Sequence, residues 1–224
     1  PKTSLDISEP YLARKKRVYV MTKPDLADPL VTQKWVDWFR DRDIPCFAVQ
    51  TNSGRGMSGL ADFLKQRQVQ MERKAGVKVL VRPLRLMLFG PPNVGKSSLA
   101  NRLLRSSKAP FGSRPGLTRG SHWLRGRGSF EILDTPGVID TSKVTGEILH
   151  KLAVTWAVRE NQYDQEEAAL WLAGDVLQSE DPAALIAEFG RSRGLIGSGG
   201  KVDLERTFMA FIKAFRQGEF GRIS

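Results

Sequence analysis

Short apolar runs bounded by turn-forming residues alternate with longer segments of helical period along the first two-thirds of the chain. "RVYVM" (17–21), "CFAVQ" (46–50) and "LRLMLF" (84–89) are continuous apolar stretches of strand length, the pattern of buried strands. "VTQKWVDWFRDRD" places Trp35, Trp38 and Phe39 at helical spacing, which predicts a helix with an aromatic core stripe rather than a base-stacking platform. "GLADFLKQRQVQMERK" predicts a second helix from about residue 57 that grows basic toward its end. A third begins after the 84–89 strand and runs to about Arg105. Residues 106–120, "SSKAPFGSRPGLTRG", carry turn formers without a period and predict a long loop. "SHWLRGRGSFEILD" (121–134) predicts two strands joined by a Gly-rich turn.

After Gly137 the pattern becomes purely helical. "VTGEILHKLAVTWAVRE", "DQEEAALWLAGDVL", "DPAALIAEFG" and "DLERTFMAFIKAFRQG" each read as amphipathic. The last sets Phe208, Phe211, Ile212 and Phe215 on one face, with Gly218 placed to cap its end. No internal repeat stands out. The expected organisation is an α/β domain over 1–142 and a small all-helical domain over 143–224.

Charge changes this picture. The net charge of +11 is uneven: residues 1–144 carry 26 Lys and Arg against 12 Asp and Glu, whereas 145–224 carry 9 against 12. Between Arg73 and Phe130 there are 13 basic residues and no acidic one. Because this run crosses segments with clear apolar periodicity, it predicts a folded basic surface suited to a polyanion, nucleic acid above all. No apolar run approaches the roughly twenty residues that span a bilayer, and no signal-peptide pattern opens the chain. The single cysteine, Cys46, lies in a strand-like stretch and reads as a small core residue. A reducing, cytoplasmic setting without a membrane partner fits.

The candidate chemistry lies at strand ends. "GPPNVGKS" (90–97) matches G-x-x-x-x-G-K-[ST], after a strand and opening a helix. Its glycines let backbone N–H groups wrap phosphate oxygens while the helix N-terminus adds its dipole. The candidate phosphate-binding residues are Asn93, Val94, Gly95, Lys96, Ser97 and Ser98, with Lys96 set to bridge the β- and γ-phosphates and Ser97 to ligate Mg²⁺. "DTPG" (134–137) ends a strand: Asp134 is a candidate Mg²⁺ residue and Gly137 can offer its N–H to a γ-phosphate. Between them, Thr118 of "RPGLTRG" is the candidate second Mg²⁺ ligand, from a segment that orders around a triphosphate. Lys96, Thr118 and Gly137 form the candidate catalytic set.

"TKPD" (22–25) follows the first strand. The Asp25 carboxylate can accept from guanine N1–H and the 2-amino group, a pair adenine lacks, and the Lys23 stem can pack on the base. The alternative for Asp25 is a helix cap. Thr22 stands where such motifs usually carry Asn. Thr51 and Asn52, at the end of the next strand, lie where a backbone N–H would reach guanine O6. The order is unusual, because the base-reading segments precede the phosphate loop. A site at the carboxyl ends of parallel strands depends on where strands sit, not on chain order.

"PNVGKSSLANRL", "RPGLTRG", "LDTPGV", "HKLAVTWAV" and "FRQGEFGRIS", with the base-reading motifs first, resemble the circularly permuted GTPases of the ribosome biogenesis GTPase A (YlqF) family. The resemblance covers nearly the whole chain. It implies a P-loop domain with permuted motifs and a helical C-terminal domain that binds RNA or the ribosome. It also implies GTP and GDP as ligands, Mg²⁺, and K⁺ held by Asn93. Hydrolysis would be slow without the ribosomal particle, in late assembly of the large ribosomal subunit with ribosomal RNA as partner; no oligomer is expected. Val138 stands where many GTPases place a water-orienting Gln, so a GTP-gated RNA-binding module with negligible turnover is the alternative, and an ATP-using P-loop protein a third. His122 and His150 do not match the family's catalytic His segment and read as structural or surface residues. The family has a further strand ahead of the base reader, central in the sheet, so the resemblance implies a native protein that extends before Pro1.

Overall fold

The computed structural model describes residues 15–74, 83–105, 122–125, 130–134 and 144–223. The chain divides into two compact units, residues 1–139 and 140–224.

In the first unit, strand β1 (Tyr19–Thr22) leads to helix α1 (Pro29–Arg40), strand β2 (Cys46–Val49), helix α2 (Met57–Lys74), strand β3 (Leu84–Leu88), helix α3 (Lys96–Arg105) and strands β4 (His122–Arg125) and β5 (Phe130–Asp134). Among the described residues the strands form two sheets. β1 and β2 pair in parallel, with Thr22 opposite Val49. β3 pairs in parallel with β5, which pairs antiparallel with β4.

One apolar core underlies both sheets. Val49 of β2, Leu60 and Leu64 of α2, Leu99 and Leu103 of α3, and Phe130 and Ile132 of β5 are buried in a single cluster, joined by Val20, Leu84, Leu86 and Leu88. The period of two along β3 explains the sorting: Leu84, Leu86 and Leu88 turn to this core, while Arg85 and Met87 face outward. On that outer face Glu131 sits between two arginines, 3.0 Å from Arg85 Nε and 3.1 Å from Arg125 Nε.

α1 starts where Asp28 accepts from the N–H groups of Leu30 (2.7 Å) and Val31 (3.0 Å), with Pro29 in the first turn. The expected aromatic core stripe on this helix is a third right. Phe39 is buried and stacks on Tyr19, but Trp35 and Trp38 are each 42% exposed, and Arg42 lies over the Trp38 ring. The two indoles pack edge-on outside it, Trp35 against Trp38 with ring centroids 5.8 Å apart and Trp38 against Phe39 at 5.0 Å. Cys46 is half-buried rather than fully buried, and loss of hydration pushes its thiol up to about 11.

The second unit is helical: α4 (Gly146–Val154), α5 (Gln165–Trp171) continued by a π-turn over Leu172–Val176, α6 (Pro182–Ser192) and α7 (Leu204–Arg216). Asp164, Asp181 and Asp203 cap α5, α6 and α7, each carboxylate accepting a backbone N–H in the first turn. α7 supplies the centre of the core with Phe208, Phe211 and Ile212 buried, while Phe215 is half-buried. It ends as expected at Gly218 (φ 78°), where the N–H of Glu219 reaches Ala214 O and that of Gly218 reaches Phe215 O. α6 crosses α7 at Gly190, where an added Cβ would collide with Thr207 and Val202. The Arg216 side chain is almost buried. It donates to the carbonyl of Ala153 (2.8 Å) and to the Tyr163 hydroxyl (3.0 Å), tying α7 to the end of α4. His150 is half-buried, with Nε2 3.8 Å from a Glu167 carboxylate oxygen and its ring beside Trp171. Among the described residues no helix is long and apolar enough to cross a membrane.

Candidate nucleotide site

The phosphate loop runs from the end of β3 into the first turn of α3. Gly95 has a φ of 98°, accessible at little cost only to glycine, and its carbonyl accepts from Leu99 N–H at 2.9 Å to start the helix. Asn93 holds a left-handed φ of 54° without being glycine, a strain that tends to mark functional loops. Lys96, the first helical residue, folds back over the loop and donates to the carbonyls of Gly90 (3.1 Å) and Pro91 (2.6 Å). These two bonds hold its ammonium against the loop backbone. Ser97 follows it, half-buried, while Ser98 is exposed.

Strand register brings other motifs to the same edge. Leu88, the last residue of β3, is paired with Asp134, the last of β5, so the phosphate loop and the "DTPG" segment leave adjacent strand ends. His122, the first residue of β4, is opposite Asp134, so the segment carrying Thr118 enters the sheet there too. Thr118 and Gly137 themselves lie outside the described residues, as does Val138.

β1 and β2 likewise end side by side at Thr22 and Val49, so "TKPD" and "TNSG" emerge together. Lys23 adopts φ 55°, and a turn closed by Leu26 N–H on Lys23 O (3.0 Å) sets the half-buried Asp25. The cap of α1 is Asp28, not Asp25, so the capping alternative for Asp25 does not hold. Beyond β2, Gly54 N–H bonds Gln50 O (2.8 Å) and Gln50 N–H bonds Arg55 O (3.0 Å), closing a tight loop around Thr51 and Asn52.

Side-chain bonds that the sequence does not reveal join these halves. Thr22 donates its hydroxyl to the Val94 carbonyl at 2.6 Å across 72 residues of chain. Arg102, on α3, donates from Nη2 to the Ser53 carbonyl at 3.0 Å. The first holds the start of the candidate base-reading segment against the phosphate loop. The residue that departs from the usual Asn therefore makes a specific bond with its hydroxyl.

Residues 85–183 match the family model described as a 50S ribosome-binding GTPase. Ribosome biogenesis GTPase A of Priestia megaterium is 30% identical, over 94% of this chain and 79% of that protein. The Bacillus licheniformis protein of the same name is 31% identical, over 96% of this chain and 82% of its own length. The solved structure of GNP-bound YlqF from T. maritima superposes with a TM-score of 0.66 at 27% identity, covering 95% of this chain and 82% of that one. A GDP-bound YlqF structure gives 0.67 at 26% identity, covering 95% and 83%.

Fold and site together define a GTPase: an α/β P-loop domain with circularly permuted motifs, followed by a small helical C-terminal domain. Within that class, the chain belongs to the ribosome biogenesis GTPase A family.

Proposed function

We infer that this protein binds GTP and hydrolyses it to GDP and phosphate as an assembly factor for the large ribosomal subunit, contacting ribosomal RNA. The Thr22–Val94 hydrogen bond carries the nucleotide reading, because it brings a base-reading segment and a phosphate loop within the span of one nucleotide. Asp25 reads the guanine, Lys23 packs on it, and the backbone about Thr51 and Asn52 meets O6. Residues 93–98 cradle the phosphates. Lys96, Thr118 and Gly137 act at the γ-phosphate.

Mg²⁺ fits the donors present. Among the described residues no cluster of three or more His, Cys, Asp or Glu exists to cage a metal. A magnesium ion in such sites is held by a few protein oxygens plus substrate phosphates and water. Ser97 beside Lys96, and Asp134 at the neighbouring strand end, meet that need, with Thr118 as the further ligand. When bound, the ion neutralises charge developing on the phosphate oxygens. Asn93 is the ligand proposed for K⁺.

The names of the related proteins place them in ribosome biogenesis, and the acid-free basic run from Arg73 to Phe130 favours RNA over an acidic protein surface. The helical unit, over 143–224, is the proposed ribosome-contacting domain, acting in the cytoplasm.

Phosphate release measured with and without large subunits, in K⁺ and in Na⁺, tests the activity. Stimulation by both supports it. Tight GTP binding with no release under any condition would favour a GTP-gated RNA-binding module instead. RNA binding should weaken steeply with salt as released counterions dictate, and a flat salt response would remove RNA as the partner of the basic surface.

A further inference from the structure

Arg102 lies on the helix that begins at the phosphate loop, yet its guanidinium reaches the loop after β2. There it donates to the Ser53 carbonyl at 3.0 Å, the residue directly after Thr51 and Asn52. Gly54, with φ 86°, lies so close beneath the guanidinium that an added Cβ would collide with it. At Gly56, φ 79°, an added Cβ would strike the Ala48 carbonyl, so the far end of the loop is folded back on β2. Two glycines thus let the loop be pinned at once from the strand beneath it and from α3 beside it. Ser53 Oγ also lies 2.9 Å from Gln50 Oε1, and Arg55 N–H donates to Ser53 Oγ at 3.2 Å.

We propose that Arg102 is a positioning residue for guanine recognition, clamping the 51–54 loop to the phosphate-binding helix so that its backbone N–H groups are aimed before nucleotide arrives. This rests on the reading of Thr51 and Asn52 as the O6-facing segment. An unclamped loop would have to be ordered at the moment of binding, and that cost would be set against affinity. Only a base with an acceptor at position 6 gains from the ordered N–H groups. Adenine carries an amino group there, so its affinity is indifferent to the clamp. A part that merely supported α3 would affect both bases alike.

The test measures binding of GDP and ADP, each with Mg²⁺, by calorimetry on the full chain. Arg102→Met keeps the length and the helix propensity and removes the donors. GDP should weaken about tenfold, the scale of losing a hydrogen bond from a charged donor, while ADP stays constant. Arg102→Lys, which retains a charged donor, should recover most of the loss. Should Arg102→Met not fold, Arg102→Gln, too short to reach the Ser53 carbonyl and uncharged, should lower the GDP-to-ADP preference in the same way. Equal weakening of GDP and ADP, or an unchanged preference, would overturn the clamp while leaving guanine reading intact. A wild-type protein that binds GDP and ADP equally would overturn the guanine reading itself, and the clamp with it.

Discussion

Replacing Thr22 by Val keeps the branched shape and deletes a hydroxyl that links the candidate base-reading segment to the phosphate loop. The bond is short, 2.6 Å, and half-buried. A neutral hydrogen bond of this kind contributes about 1 kcal/mol net, and somewhat more when the abandoned acceptor stays shielded from water. The Val94 carbonyl is the acceptor left behind. Stability should fall by about 1–2 kcal/mol, seen as a lower denaturation midpoint with an unchanged slope. On the proposed reading GDP spans both halves, so its binding would have to realign two segments no longer tied. Its Kd should rise by about fivefold, the equivalent of about 1 kcal/mol. Inorganic pyrophosphate with Mg²⁺ meets the phosphate loop alone and should keep its affinity. Thr22→Ser, with the hydroxyl retained, should behave nearly as wild type. Titration calorimetry with both ligands on the three proteins decides the matter. If GDP and pyrophosphate weaken by one common factor, or neither weakens, the bond does not join two half-sites and the reasoning fails.

Asp25→Asn should trade guanosine for xanthosine nucleotides, because the purine 2-substituent it faces changes from donor to acceptor; competition between GDP and XDP measures it, and retained GDP preference would move the reader elsewhere. Leu103→Ala, at a site 1% exposed in the core shared by both sheets, should cost about 2–5 kcal/mol in chemical denaturation. Asp28→Ala removes the carboxylate oxygen that accepts from two N–H groups at the start of α1 and should cost about 1 kcal/mol without touching nucleotide specificity. Cys46, its thiol raised by burial to about 11 from 9.0, should resist alkylation at pH 8 in the native protein and react readily in denaturant. Since the unfolded thiol ionises first, its contribution to stability is intact below about pH 9 and drains away as pH climbs toward 11.

The sequence read alone settled the phosphate loop, because a strand, a glycine-bearing octapeptide and a helix are consecutive and their geometry is local. The same holds for Gly218 at the end of α7, where the signal and the bond it makes are a few residues apart. Family membership was legible too, since motif identity survives a change in motif order. What the order could not reveal is how far-apart segments meet. Thr22 meets Val94 and Arg102 meets Ser53 through bonds that span 72 and 49 residues, and no periodicity encodes them. For Asp25 the sequence left a capping role open; only the folded turn assigned that task to Asp28. The aromatic helix showed the same limit: helical spacing marked Trp35, Trp38 and Phe39 alike, but burial depends on what packs beneath the helix, and of the three only Phe39 is buried, stacked on Tyr19. Local chemistry is written in neighbouring residues, whereas convergence of a site depends on strand order and packing, which exist only once the chain has folded.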